Sequence, residues 1–137
     1  MELKTNDTTA AYLSRFYEPE ITAYEFLKYF FACLKELGEE SVNRDLVSFL
    51  YHRKQQEDER VVLEEISFRS NGVNHYSDDV EDALFNLQNG GLLGKMNPSF
   101  GKIIIKYSDD DVADISKNIS DKFKPIIMRI AEDFKNS

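Results

Sequence analysis

Cysteine is nearly absent from this 137-residue chain: Cys33 stands alone, so neither a disulfide framework nor a thiolate zinc site can be built. It lies in the apolar run Tyr29-Phe30-Phe31-Ala32-Cys33-Leu34, which marks a buried structural thiol and not a nucleophile. Histidine is almost as scarce. His52 and His75 occupy different segments, and neither has a partner at metal-ligand or triad spacing. No apolar run approaches the roughly 20 residues of a membrane span. The stretch from Met1 to Thr9 lacks the apolar core of a signal peptide, so a cytoplasmic protein without membrane association is expected. Glycine-rich phosphate loops, nucleophile elbows and spaced cysteine pairs are missing too. Nothing therefore argues for an enzyme, a cofactor or a metal. The carboxylates Asp109, Asp110, Asp111 and Asp114 lack the glycine turn and terminal glutamate of a calcium loop, and helix-start electrostatics account for the first three.

What is present points to one domain over residues 1–137, with 42% hydrophobic residues to build a core. An amino-terminal arm covers residues 1–18, where Tyr12, Leu13, Phe16 and Tyr17 predict a short helix ended by Pro19. Thr22 and Glu25 have capping-box spacing. The helix they open is apolar around most of its circumference through Tyr24, Phe26, Leu27, Phe30, Phe31, Leu34 and Leu37, and Gly38 closes it. Ser41 is expected to cap a second helix with the stripe Val42, Leu46, Phe49 and Leu50. That helix frays into a solvated charged run, His52 to Arg60, and Val61 to Phe68 fits a short helix better than a strand. A long carboxy-terminal helix over 109–135 carries an apolar stripe from Val112 to Phe134, with Pro125 predicting a kink or two abutting helices. It either wraps back on the aromatic helix or forms a homodimer interface.

The most informative stretch runs from Ser77 to Ser108. Ser77 caps a helix whose first turn carries Asp78, Asp79 and Glu81, and Val80, Ala83, Leu84 and Leu87 give it one apolar face. Gly90 and Gly91 end it. Leu92, Leu93 and Met96 form a first short strand, and Lys102 to Tyr107 a second. Asn97-Pro98-Ser99-Phe100-Gly101 is the tip between them. Helix, hairpin, helix in this order predicts an α+β, mainly α-helical chain. It reads as a winged-helix-like domain with a small two-stranded wing hairpin and a long carboxy-terminal helix.

A recognition helix entering the DNA major groove draws most of its binding free energy from Lys and Arg. Residues 77–89 hold four carboxylates, Asp78, Asp79, Glu81 and Asp82, and no basic residue. The net charge of −8 opposes steering toward nucleic acid as well. Candidate DNA contacts are confined to the wing, Lys95, Lys102 and Lys106, with Arg69 beside them. The acidic helix suits a protein partner better. Phe85 falls off the apolar stripe among carboxylates, and Phe100 sits at the wing tip, the anchor-and-rim pattern of a protein interface. The expected interface residues are thus Asp78, Asp79, Glu81, Asp82, Phe85 and Phe100. A DNA-binding regulator that uses the basic wing is the alternative.

The series Ile66-Ser67-Phe68, His75-Tyr76-Ser77, Val80-Glu81-Asp82-Ala83-Leu84 and Gly90-Gly91-Leu92-Leu93 resembles the middle of the Panacea or SocA-like antitoxin group and related winged-helix proteins. The resemblance covers residues 46–95. It departs from the group at Asn74-His75, where Gly-Pro is usual, and the first helix lacks the Lys-Leu-rich pattern. The resemblance implies a non-enzymatic protein that binds another protein and neutralises or presents it.

Overall fold

The computed structural model describes residues 21–95 and 102–137. The expected arm over 1–18, the strand residue Met96 and the tip with Phe100 lie outside the described residues. Within them the chain is α+β and mainly helical. Helix α1 spans Ala23–Glu36, β1 Ser41–Val42, α2 Leu46–Lys54 and α3 Arg60–Leu63. Then follow β2 (Arg69–Ser70), β3 (His75–Tyr76), α4 (Asp78–Asn89), β4 (Ile103–Ile104), α5 (Asp109–Asn118) and α6 (Lys124–Lys135). None of the described helices is long and apolar enough to cross a membrane.

Helix α1 is the hub because its sequence leaves it almost no polar side. Thr22 and Glu25 close a reciprocal capping box at 3.0 Å each way, and Glu65 Oε1 accepts the Ala23 amide at 2.6 Å. At the other end Gly38 adopts φ 91°, which lets the Glu39 amide reach the Leu34 carbonyl at 2.9 Å. Lys135 then caps the Leu37 carbonyl at 2.7 Å. Between these caps Phe26, Leu27, Phe30, Phe31, Cys33 and Leu34 are wholly buried, each large apolar side chain contributing about 1.5–3 kcal/mol of burial. Helices α4, α5 and α6 pack around α1. Phe134 of α6 joins three helices by meeting Phe30 of α1 at 5.6 Å and Phe49 of α2 at 4.9 Å between ring centres.

Two expectations are corrected and one alternative is decided. Ser41 caps no helix: β1 pairs antiparallel with β4 in the register Ser41↔Ile104 and Val42↔Ile103. Asp45 caps α2 instead, accepting the Ser48 amide at 3.0 Å. Of the two outcomes that Pro125 predicts for 109–135, the structure has two helices and not one kinked helix: α5 ends at Asn118 and Pro125 falls in the first turn of α6, where its missing amide costs no helical hydrogen bond. The apolar residues Val112, Ile115, Ile127, Ile130 and Phe134 of this stretch are buried inside the chain, so the stripe that prompted the homodimer expectation packs within the chain, in keeping with α5 and α6 on α1. Lastly, the charged run is not uniformly solvated. Glu59 is 2% exposed and accepts Arg53 Nε at 2.5 Å and Arg129 Nε at 3.1 Å. Arg53 also pairs with Asp133 at 2.8 Å, so these ion pairs bind the loop after α2 to α6.

The strand that holds β4 is used on both sides. The Ile105 amide reaches back to the Glu40 carbonyl at 2.9 Å, while the Lys106 amide and Ile104 carbonyl bond Leu92 and Gly94 at 2.9 Å. Leu93 bridges Ile105 antiparallel. Ile103, Ile105 and Tyr107 turn inward, and Lys102, Ile104 and Lys106 outward.

Candidate functional site

Helix α4 is built as its sequence requires. Ser77 Oγ accepts the Val80 amide at 3.2 Å. At the far end Gly91 takes φ 81°, so the amides of Gly91 and Leu92 return to the carbonyls of Gln88 and Leu87 at 3.0 Å each. Val80, Ala83, Leu84 and Leu87 are buried. Asp78, Glu81, Asp82 and Phe85 follow one another at helical spacing on the opposite, exposed side, with Phe85 42% exposed.

Of the six expected interface residues, the structure brings these four together. Asp79 stands apart from them: it is half-buried, and its Oδ2 accepts the Ser67 amide at 2.7 Å, tying α4 to the segment before β2. Phe100 lies outside the described residues. The expected basic edge is also divided. Arg69 belongs to the β2–β3 sheet and pairs with Asp78 at 3.0 Å, whereas Lys102 and Lys106 share the outer face of the strand that holds β4. Lys95 is exposed at the end of the described segment.

Sequence reasoning missed the β2–β3 hairpin. Its register is Arg69↔Tyr76 and Ser70↔His75. Its turn is organised by Asn71, whose side-chain oxygen accepts the amides of Val73 and Asn74 at 3.0 and 2.7 Å, and by Gly72 at φ 90°. The Asn71-Gly72 pair was the available signal. The hairpin exposes Val73 at 82% and Tyr76 at 45%. It also brings the two histidines together: His75 stacks on Tyr51 at 4.0 Å, and the His52 ring lies 5.4 Å from His75. Among the described residues His75 Nδ1 is buried without a hydrogen-bond partner. The pair does not extend to a metal site, since among the described residues no group of three or more His, Cys, Asp or Glu side chains is placed to hold an ion. Asp111 closes the capping box of α5 with Ser108, and Asp109 and Asp110 precede it in the same first turn.

Between the start of α2, the hairpin and the first turns of α4 lies an open groove of about 600 Å³. Leu46, Val80, Leu84 and Ile103 contribute its apolar lining, and Arg44, Asp45, Arg69, Asp78 and Glu81 its charges. Glu81 therefore belongs both to the groove and to the exposed face of α4. No family model, curated protein or solved structure matches the chain.

Proposed function

We propose that this chain is a non-enzymatic, cytoplasmic protein-interaction module of winged-helix type that binds another protein and neutralises or scaffolds it. Its role is that of an antitoxin-like partner, a defence-system subunit or a phage-type inhibitor. The observation that carries the reading is the exposed face of α4, which Asp78, Glu81 and Asp82 share with a half-exposed Phe85. An aromatic ring in a charged rim is the composition of an interface anchor, and like charges at helical spacing are otherwise unfavourable. The winged-helix part draws support from the order of α4, the Leu93–Ile105 bridge and β4. The resemblance over residues 46–95 supports it independently.

The test is affinity capture from the source cells with the wild type and with a Phe85→Ala, Asp82→Lys double variant. Loss of the captured protein, with circular dichroism retained and the fold still cooperative on heating, is expected. Undiminished capture rejects this face.

One observation favours DNA binding as the second reading: Lys102 and Lys106 lie together on the outer face of their strand. Tight, salt-sensitive retardation of the chain's own upstream DNA, abolished by Lys95→Glu with Lys102→Glu, establishes that reading.

A further inference from the structure

The groove beside α4 carries five charged side chains, and four of them are engaged within the chain. Arg44 Nη1 donates to the Phe134 carbonyl at 2.5 Å, at the negative end of the α6 dipole. Asp45 accepts both the amide and the hydroxyl of Ser48 at 3.0 Å, and Arg69 pairs with Asp78. Among the described residues nothing pairs with the fifth, Glu81, and its neighbour Asp82 is exposed beside it. A groove whose cations are engaged and whose remaining charge is a carboxylate is complementary to a cation.

The chain already holds one guanidinium in this setting. Arg69 lies 5.8 Å from the centre of the Tyr76 ring while it bonds Asp78, a cation between an aromatic surface and a carboxylate. Tyr76 is 45% exposed, so the same ring remains accessible from the groove it lines. A second copy of the chain is a poor occupant, because it brings the same acidic face and a net charge of −8. Nucleic acid would place phosphate against Glu81 and Asp82.

We infer that the groove seats an arginine-bearing segment of a different, basic polypeptide. The guanidinium pairs with Glu81 beside Tyr76, and the aliphatic stem covers the apolar lining at Leu46, Leu84 and Ile103. This deepens the interaction reading and rests on it.

The test uses the full chain, labelled with ¹⁵N and titrated at low salt with the peptide acetyl-Ala-Arg-Ala-Arg-Ala-amide. The same peptide with both arginines replaced by glutamate is the control. Amide shifts confined to residues 43–47 and 69–81, weakened about fivefold by Glu81→Gln as expected of a half-exposed ion pair, and silence from the acidic peptide support the assignment. Shifts elsewhere, no shifts, or undiminished affinity of Glu81→Gln overturn it. A failed peptide together with loss of the captured protein in the Phe85→Ala, Asp82→Lys variant removes the groove occupant and leaves the interaction reading standing. Peptide binding in the groove together with undiminished capture by that variant separates the two in the opposite direction.

Discussion

Cys33 has no solvent exposure, and its consequences are thermodynamic, not catalytic. Burial pushes its thiol up from 9.0 to about 12, with Glu36 and Glu132 adding to the rise and a hydrogen bond to Tyr29 opposing it. Burial likewise raises the phenols of Tyr29 and Tyr107, and Tyr107 is fixed by donating its hydroxyl to the Lys28 carbonyl of α1 at 2.8 Å. Each of these groups is neutral when protonated. Above pH 9.0 the unfolded thiol ionises while the folded thiol keeps its proton until about 12. In that window the unfolded state holds fewer protons, so stability falls as pH rises, by up to about 1.4 kcal/mol per pH unit for each such group. Below pH 9.0 the contribution of the thiol is fully present. The tyrosines extend the loss from pH 10 upward. Urea unfolding followed by circular dichroism across this window should show a falling midpoint, and Cys33→Ala should begin its fall later. Parallel profiles for the two proteins would remove Cys33 as the cause.

Helix α4 shows what separates structural carboxylates from surface ones on a single element. Asp79 accepts the Ser67 amide, a charge-assisted bond at the positive end of the helix, and Asp79→Ala should cost about 1 kcal/mol in urea unfolding while capture of the partner is unchanged. Asp82, three residues on, should behave in the opposite way; a loss of capture in Asp79→Ala would return that residue to the interface. The sequence alone made the helix legible because cap, acidic turn, apolar stripe and glycine stop all fall within fifteen residues. It did not distinguish Asp79 from its neighbours, since the Ser67 amide that claims it lies in the irregular segment before β2, outside the helix. The same holds elsewhere. Ser41 reads as a helix cap because its partner Ile104 is far along the chain. Glu59 reads as solvated because Arg129 comes from α6. The histidines read as separate because only the hairpin folds His75 onto Tyr51. Apart from the overlooked hairpin, local chemistry was readable, whereas contacts between distant segments were not, and the groove needs such a contact, because it joins residues 43–47 to the hairpin and α4.

Across the whole molecule, 25 acidic residues against 17 basic ones leave a net charge of −8, and the folded state concentrates it in the first turns of α4 and α5. Carboxylates there gain from the helix dipole, about 0.3–1 kcal/mol each at low salt. That gain fades beyond the first turn, where Asp82 sits within helical reach of Asp78 and beside Glu81. If the exposed face of α4 were merely a solvated surface, reversing one of its charges would change little. If it is kept acidic for a partner, it carries a stability cost that reversal removes. Asp82→Lys replaces repulsion from Asp78 with an i,i+4 attraction, so it should raise the unfolding free energy by about 0.5–1 kcal/mol at low salt. Added salt should stabilise the wild type more than the variant, because a Debye length of about 10 Å at 0.1 M screens the repulsion that only the wild type retains. Unfolding at two ionic strengths measures both effects. A variant that is more stable yet no longer captures the partner is the signature of a face held acidic for binding, and a variant that is less stable at low salt contradicts it.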